Sequence, residues 1–381
     1  MSYSQRLAAA SLLIGSAFQQ NLGGADAVKN LVVYRESGRY AGWPANHGIW
    51  SWGNEIVVGF ESGYFHFSET RHSIDWDRPA QHLLARSKDG GETWSIEHPE
   101  SLKPPPNAAV AKVHTELGGK EATDCPGFID FTNPGFAFTL RMEDVNAGPS
   151  RFYYSYDRAK TWQGPFRLPD FGQKGIAART DYLVNGTHDM TAMLTAAKSN
   201  GREGRVICVR TEDGGKSWRM LGFVGPEPEE TDFAIMPSSV RLSSNSILTA
   251  VRHKASIELY RSDDDGSNWR SLGRPVPNTG VHSGNPPYLL RLKDGRLAIT
   301  YGFRSEPFGI RTVVSSDEGK TWSEPITLRQ DGGTWDLGYT RSAVRPDGKV
   351  VTVYYFNDRK DAERFIGATI WDPALVLPGK R

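Results

Sequence analysis

Cysteine, long apolar runs and an excess of charge of either sign are all scarce in this sequence. The 381 residues include 2 cysteines, Cys125 and Cys208, which form no CxxC pair, so a zinc site built on cysteine is not expected. Two unpaired buried thiols are the expectation, because free cysteine packs as a small apolar residue. One disulfide is the alternative. We find no apolar run of 18 residues, so we expect no helical membrane span.

The charges nearly cancel, with 45 Lys and Arg against 44 Asp and Glu for a net charge of +1. Without a basic tract there is no source for the electrostatic attraction on which nucleic-acid binding depends, so we expect no nucleic-acid partner. Recognition through charge must then come from arginines gathered in one pocket. No Gly-rich phosphate loop and no metal-ligand spacing is present, so we expect neither cofactor nor metal.

Turn-forming residues and tryptophan are abundant, with 40 Gly, 23 Pro and 11 Trp, which is typical of many short strands joined by tight turns. Five segments fit the pattern Ser/Thr-x-Asp-x-Gly-x-Ser/Thr-Trp, with Ala159 and Asn268 as the two departures. The five lie at residues 87–94, 155–162, 211–218, 262–269 and 315–322. An Asp in such a turn bonds nearby backbone N–H groups, and Gly supplies a positive φ. We call each segment a clasp, and we expect its Asp to be structural.

The clasps begin 51 to 68 residues apart, which suits a four-stranded propeller blade. Five clasps indicate five blades, and strand-like segments at 337–344, 349–355 and 364–370 indicate a sixth without a clasp. The segment 31–34 could supply the missing fourth strand of that blade and close the ring. The sequence therefore predicts an all-β, six-bladed propeller in one domain over residues 30–375. Seven blades are the alternative if the long first interval, which contains Pro104-Pro105-Pro106, hides one more.

Residues 1–27 are expected to be a signal peptide or a disordered N-terminus. Arg6 precedes an apolar run from Leu7 to Phe18, which is typical of an export signal, and an Ala-rich N-terminal helix is the alternative. The sequence therefore predicts a secreted or periplasmic protein.

The starts of the innermost strands surround the central funnel of a propeller, so they are the first place to look for chemistry. Reactive residue types are frequent there. They occur at 43–48, 124–125, 179–181, 282–285 and 335–341, and Arg252-His253 end a neighbouring strand. Arginine holds a carboxylate through two parallel N–H···O bonds, so a pocket lined by Arg179, Arg252 and Arg341 favours an anionic ligand.

The clasps resemble the Asp-boxes of the sialidase (neuraminidase) superfamily, and the resemblance covers residues 30 to 375. That family is six-bladed; its enzymes hold the carboxylate of sialic acid with three arginines and use a Tyr nucleophile assisted by a Glu, with an Asp as acid/base. The resemblance places the nucleophile at Tyr339 and the second arginine at Arg252. It leaves Arg304 and Arg311 open for the third arginine, and it places the acid/base at Asp75, with Asp77 beside it.

Two family elements have no counterpart. Pro44 aligns best with the family's Tyr/Phe-Arg-Ile-Pro motif, but Gly42-Trp43 precede it in place of an arginine, and Pro237-Ser238-Ser239 occupies the stretch of the family's Glu. The surroundings of Pro44 are also similar to sialidase-like propellers that cleave rhamnose linked to glucuronate and depend on a pocket histidine. His47 or His282 would take that part.

Three functions follow from the resemblance. The first is an exo-acting, sialidase-type glycoside hydrolase whose partner is an anionic oligosaccharide or glycoconjugate. The second is a His-dependent lyase acting on a glucuronate-linked terminal sugar, and the third is a glycan-binding propeller without activity.

Overall fold

The computed structural model describes residues 28–104 and 118–376, and its strands follow the chain from blade to blade. Strand β1 (Val28–Tyr34) comes first and joins the last sheet. Blade one holds β2 (Arg39–Gly42), β3 (Ile49–Trp52), β4 (Glu55–Tyr64), β5 (Gln81–Ser87) and β6 (Ser95–Glu97); blade two holds β7 (Ala137–Met142), β8 (Ser150–Ser155) and β9 (Gln163–Leu168); blade three holds β10 (Ile176–Ala177), β11 (Tyr182–Gly186), β12 (Asp189–Ala197), β13 (Glu203–Thr211) and β14 (Arg219–Val224).

The second half of the ring has the same order. Blade four holds β15 (Ala234–Arg241), β16 (Ile247–His253), β17 (Ser256–Ser262) and β18 (Arg270–Ser271); blade five holds β19 (Tyr288–Arg291), β20 (Leu297–Phe303), β21 (Gly309–Ser315) and β22 (Ile326–Arg329); blade six holds β23 (Gly338–Val344), β24 (Val350–Phe356) and β25 (Phe365–Trp371). The helical segments are short: α1 (Pro44–His47), a 3-10 turn at Glu100–Leu102 and α2 (Pro373–Val376).

The ring closes through the two ends of the described chain. β1 pairs antiparallel with β25, from Val28 opposite Trp371 to Tyr34 opposite Ile366, so blade six has the order β1-β25-β24-β23. The six sheets form a six-bladed β-propeller, which confirms the predicted architecture and the role of segment 31–34, and residues 28–104 and 118–376 contain no seventh blade. Joining the first and last strands in one sheet removes the exposed edges that an open ring would have.

The clasps connect the third and fourth strands of blades one to five, as expected. In blade one, Asp89 Oδ1 accepts the Thr93 N–H at 2.9 Å and the Ser87 hydroxyl at 2.8 Å, while Trp94 Nε1–H donates to the Gly91 carbonyl at 2.9 Å. Gly91 has φ 91°, a backbone conformation that side chains rarely adopt. The other clasp aspartates accept equivalent bonds, and these are Asp157, Asp213, Asp264 and Asp317.

The hydrophobic core lies between neighbouring blades. All seven residues of β24 and all seven of β25 are buried, because each sheet packs against a blade on either side and both of its faces exclude water. Cys125 and Cys208 are free, buried and part of separate core clusters, which confirms the prediction of two unpaired thiols.

Blade two differs from the other blades because no innermost strand is present among its described residues. The stretch 124–125, expected at the start of that strand, instead lies near the outside of the ring. Asp124 is exposed and pairs with Arg167, and Cys125 Sγ lies 3.9 Å from the Gly214 carbonyl in the clasp of blade three. The expectation that these residues face the funnel is wrong, and β7 is the first described strand of that sheet.

Two expectations lie outside the described residues: the signal peptide or disordered N-terminus at 1–27 and the structure of Pro105-Pro106. Within the described part of the chain, no helix is long and apolar enough to cross a membrane.

Candidate functional site

The second strands of blades two to five end in a cation at one rim of the propeller. Arg141 is the next-to-last residue of β7, Lys198 follows β12, Arg252 is the next-to-last residue of β16, and Arg304 follows β20. Their exposed fractions are 4%, 3%, 6% and 1%. Tyr355 has the corresponding place in β24 of blade six. A ring of buried cations is costly unless each is hydrogen-bonded or serves an anion, so this rim is the place to look for a site.

Tyr339 and Arg252 meet at this rim. β23 begins at Gly338 beside the axis, and the Tyr339 hydroxyl lies 3.3 Å from Arg252 Nη1, which donates to it. Arg252 Nε and Nη2 donate to the Ser283 carbonyl at 3.0 and 2.8 Å, so the guanidinium is fixed in orientation. The structure thus brings together the predicted nucleophile and the predicted second arginine in one hydrogen bond.

Arg304, rather than Arg311, lies beside Tyr339. The Arg304 guanidinium is 5.6 Å from the centre of the Tyr339 ring, and its Nη2 donates to the Tyr355 hydroxyl at 2.7 Å. Arg311 instead stacks 3.4 Å over the Phe303 ring and lines a groove of about 540 Å³ together with the clasp residue Trp322. Of the two arginines left open by the sequence, Arg304 therefore lies beside Tyr339, and Arg311 lies away from it.

The Asp336 carboxylate is completely buried and accepts four hydrogen bonds. Oδ1 accepts from His72 Nδ1–H at 2.6 Å and from the Tyr355 hydroxyl at 3.0 Å. Oδ2 accepts from the Ser73 N–H at 3.0 Å and from Arg364 Nε–H at 2.9 Å. Burial by itself would raise the pKa of Asp336, but His72, Arg364 and the Ser73 N–H together hold that pKa well below its ordinary range.

Aromatic rings form the walls around this carboxylate. The His72 ring lies 5.3 Å from Trp43, 5.6 Å from Trp335 and 6.4 Å from Tyr339, measured between ring centres. His282 is exposed and stacks on Trp335 with centres 3.9 Å apart. Burial, and then the charge of Arg304, lowers the pKa of His282. Flat aromatic surfaces beside fixed polar groups suit a sugar ring, which has an apolar face and a polar edge.

Several residues of this rim have left-handed backbone conformations although they are not glycine. Trp43 has φ 58°, Met236 has φ 55°, His282 has φ 52° and Tyr339 has φ 54°. Each such residue costs of order 1–3 kcal/mol, and this kind of strain concentrates at functional sites. The four come from blades one, four, five and six, so the strain surrounds the funnel.

Arg179 and Arg341 lie within the ring but make internal contacts. Arg179 Nη1 pairs with Glu203 at 3.0 Å, and Nε donates to Asn46 at 3.1 Å. Arg341 is 4% exposed, and its Nη2 donates to the carbonyls of Thr180, at 2.9 Å, and Ala45. Arg341 thus connects blade six to blades one and three across the axis, which is a structural use of the residue.

His47 does not reach the pocket, which corrects the expectation that it lies there as a catalytic residue. Its side chain is 2% exposed, its Nδ1 contacts Arg141, and its ring centre lies 4.9 Å from that of His82. The reason is local: α1 ends at His47 and turns the side chain outward against Gly59 of β4.

His47, Glu61 and His82 are the one set of three in the described part of the chain whose ligand atoms approach closely enough to hold a metal, all lying within 4.8 Å of one another. Burial raises the pKa of Glu61 to about 8 and, with Arg151, lowers that of His82 to about 3. The Arg141 guanidinium against His47 puts a positive charge where a cation would bind. The set therefore fits a neutral buried cluster better than a metal centre.

Asp75, the predicted acid/base, lies in the same β4–β5 loop as His72. It is half-exposed, and its Oδ1 accepts the Asp77 N–H at 3.0 Å. Within the ranges 28–104 and 118–376, no hydrogen bond joins Asp75 to Tyr339. The ring contact from this loop to Tyr339 comes instead from His72, three residues earlier.

Sequence reasoning missed His72, Asp336 and Tyr355 as site residues. Both His72 and Asp336 lie in stretches that it had singled out, the loop around Asp75 and the start of blade six. The pairing of the two residues, 264 positions apart, has no local signal. Tyr355 had one available signal, because it ends a second strand as Arg252 does.

Comparison with known proteins agrees with this fold. A family model described as a BNR repeat-like domain matches residues 136–352. The sialidase of Vibrio cholerae is 26% identical over 136 residues, which is 36% of this chain and 16% of the relative. The chain thus aligns with a small part of the length of that curated relative.

Solved structures match over almost the whole chain. A protein of unknown function from Dyadobacter fermentans has a TM-score of 0.66 at 19% identity, covering 90% of this chain and 98% of that one. The α-L-arabinanase of Penicillium chrysogenum, solved with arabinobiose, has a TM-score of 0.60 at 14% identity, covering 92% and 99%. At these identities the likeness concerns the fold.

Proposed function

The chain belongs to the BNR repeat-like family, with the fold of the sialidase superfamily, and from this membership and the geometry of the funnel we propose that it is an exo-acting glycoside hydrolase that releases a terminal acidic sugar. The observation that carries the proposal is the contact of 3.3 Å between the Tyr339 hydroxyl and Arg252. This contact brings the proposed nucleophile, Tyr339, next to a cation that can bind the carboxylate of an acidic sugar.

Tyr339 is the proposed nucleophile. An anionic sugar repels a carboxylate nucleophile, whereas a phenol carries its charge only when it is stabilised, here by Arg252. A Tyr nucleophile is a known exception to the two-carboxylate rule of glycosidases. Tyr339 lies at the start of β23 and is partly exposed, and the Arg304 guanidinium lies 5.6 Å from the centre of its ring.

The charge around the funnel supports an acidic sugar. Arg252, Arg304 and Arg341 form no ion pair with a carboxylate in the described ranges. Their hydrogen-bond acceptors are uncharged: carbonyl and hydroxyl oxygens and the Met236 sulfur. An anionic substrate would compensate part of this buried positive charge. The donors of Arg304 are committed within the protein, whereas Arg341 keeps a buried Nε–H without an acceptor among the described residues. Arg252 is the group proposed to contact the substrate carboxylate, because it donates to the Tyr339 hydroxyl.

The two other functions have less support. A lyase that depends on His47 would need that side chain in the funnel, and it is 2% exposed against Arg141, which leaves the exposed His282 beside Trp335 as the histidine for a lyase. A propeller that only binds glycans would have no use for Tyr339 in its strained conformation next to Arg252. Export also stays a proposal, supported by the apolar run after Arg6, which lies outside the described residues.

The test is release of the fluorescent aglycone from methylumbelliferyl glycosides of N-acetylneuraminic acid and glucuronic acid, with the glucoside and arabinofuranoside as neutral counterparts. We expect cleavage of an acidic glycoside, reduced about 10³-fold or more by Tyr339→Phe because the nucleophile is removed. Tyr154→Phe is the matched control, since that hydroxyl bonds Gln163 in the outer part of blade two.

Three results would contradict the proposal. Cleavage of neutral glycosides alone would exclude the acidic-sugar preference, and an increase in absorbance from an unsaturated uronate would indicate elimination. Binding of acidic oligosaccharides without turnover, unchanged by Tyr339→Phe, would indicate a lectin.

A further inference from the structure

The His72–Asp336 pair is the part of the funnel that the proposed function does not yet use. We propose that His72, held by Asp336, is the general acid/base that gives a proton to the leaving-group oxygen while Tyr339 attacks the sugar. The inference rests on the proposed function and adds a catalytic residue to it. It replaces the predicted part of Asp75 with a histidine from the same loop.

Asp336 fixes the His72 ring and its tautomer. Both carboxylate oxygens already accept bonds from Tyr355, Ser73 and Arg364, and an ionised carboxylate can only accept, so the 2.6 Å contact to His72 requires a proton on Nδ1. Nε2 is then the atom left to exchange protons. The arrangement matches the His–Asp pair of hydrolases, in which the carboxylate orients the imidazole and stabilises its charged form.

The His72 ring is partly exposed to solvent. The His72 side chain is 23% exposed, while the Asp336 side chain has no exposed surface, so the pair can be reached by a substrate only through the imidazole. No hydrogen bond to Nε2 exists in the described part of the chain. Trp43 and Trp335 confine the ring from two sides, at 5.3 and 5.6 Å between centres, and hold it in one orientation.

The spacing between His72 and Tyr339 suits a double displacement. Their ring centres lie 6.4 Å apart at an interplanar angle of 87°. Retaining glycosidases likewise bring two reacting groups to one anomeric carbon. The imidazole and the phenol therefore lie at a distance at which one sugar can contact both.

The proposed steps balance as follows. In the first, the Tyr339 phenolate forms a bond to the anomeric carbon and the glycosidic C–O bond breaks. The leaving-group oxygen keeps the electron pair of that bond and takes the proton from Nε2 of His72. In the second, neutral His72 takes a proton from water as the water oxygen bonds the anomeric carbon. Tyr339 leaves as the phenolate beside Arg252, and His72 is again protonated.

The experiment compares His72→Asn with the wild type on two glycosides of the same acidic sugar. One is the methylumbelliferyl glycoside, whose leaving group departs without a proton, and the other is a disaccharide, whose leaving alcohol needs one. Asn keeps an N–H in reach of Asp336 but cannot transfer a proton. We expect kcat/KM, which reports the steps up to departure of the leaving group, to fall about 10²–10⁴-fold on the disaccharide and less than about tenfold on the aryl glycoside.

A merely structural His72 would give a different result. Equal losses on both substrates, or no loss on the disaccharide, would overturn the inference while leaving the proposed hydrolase intact. Absence of any sugar release by the wild type would overturn the proposed function and this inference together. His66→Asn is the matched control, because His66 is an exposed histidine of the same loop, and His72→Gln serves if the Asn variant fails to fold.

Discussion

Two histidine–carboxylate clusters lie within blade one and its neighbours, and they differ in what surrounds the carboxylate. In the His72 cluster, Asp336 accepts four hydrogen bonds, and the imidazole is partly exposed. In the His47 cluster, Glu61 accepts no hydrogen bond from the described residues, and both it and His47 are buried. A carboxylate that is compensated in the interior can stay ionised and orient a histidine, whereas an uncompensated one takes up a proton.

This contrast appears as opposite changes in two carboxyl pKa values. That of Asp336 is held well below its ordinary range by its partners, and that of Glu61 is raised to about 8 by burial. Substitution of each carboxyl by its amide should therefore change stability in opposite directions.

The largest effect is expected for Asp336→Asn. The amide leaves Arg364 as a buried, unpaired cation, so the free energy of unfolding at pH 7 should fall by about 3–5 kcal/mol in urea unfolding. Because the folded pKa is depressed, this contribution is present above the unfolded pKa of about 3.9 and is lost as the pH falls through the folded value. If the free energies of unfolding of the wild type and the variant differ by the same amount from pH 7 to pH 3, ionisation of Asp336 is not the source of the difference.

Glu61→Gln should have a smaller effect of the opposite sign. A carboxyl with a folded pKa of about 8 contributes stability below its unfolded pKa and loses it as the pH rises through 8, so the wild type becomes less stable across this window. The amide does not titrate, and it should increase the free energy of unfolding by about 2–4 kcal/mol at pH 7. The measurement is the difference in Tm between the two proteins from pH 4 to pH 9.

The difference in Tm between the wild type and Glu61→Gln should approach zero near pH 4 and grow as the pH rises. A variant less stable than the wild type at pH 9 would show instead that Glu61 is ionised and compensated by Arg141 or the two histidines. The two clusters would then be alike.

The smallest effect is expected for Asp89→Ala, far from either cluster. The clasp loses the bonds that Asp89 accepts, the largest being those from Thr93, which lower the pKa of Asp89 to about 2. The loss should be about 1 kcal/mol, as for other capping bonds at the surface, with glycosidase activity unchanged. Urea unfolding and the aryl glycoside assay measure both. Abolished activity in a folded variant would mean that the clasps are not merely structural.

The sequence predicted the funnel incompletely for a geometric reason. Tyr339 and Arg252 were found because each occupies a fixed place in its blade, the start of a first strand or the end of a second. Arg304 and Arg311 could not be separated, because a strand end and the next strand's start differ only in the direction of the side chain. His47 was misplaced because the turn of α1, set by packing against Gly59, decides which way its ring faces.

The sequence by itself determined the number of blades, the positions of the clasps and the closing strand, because an Asp that bonds N–H groups within four residues and a two-residue strand period are local properties. The tertiary structure alone decided that His72 meets Asp336 and that His47 meets Arg141. Those contacts depend on which loops converge at one rim of the ring. The paired residues are 264 and 94 positions apart, so no local sequence pattern predicts that they meet.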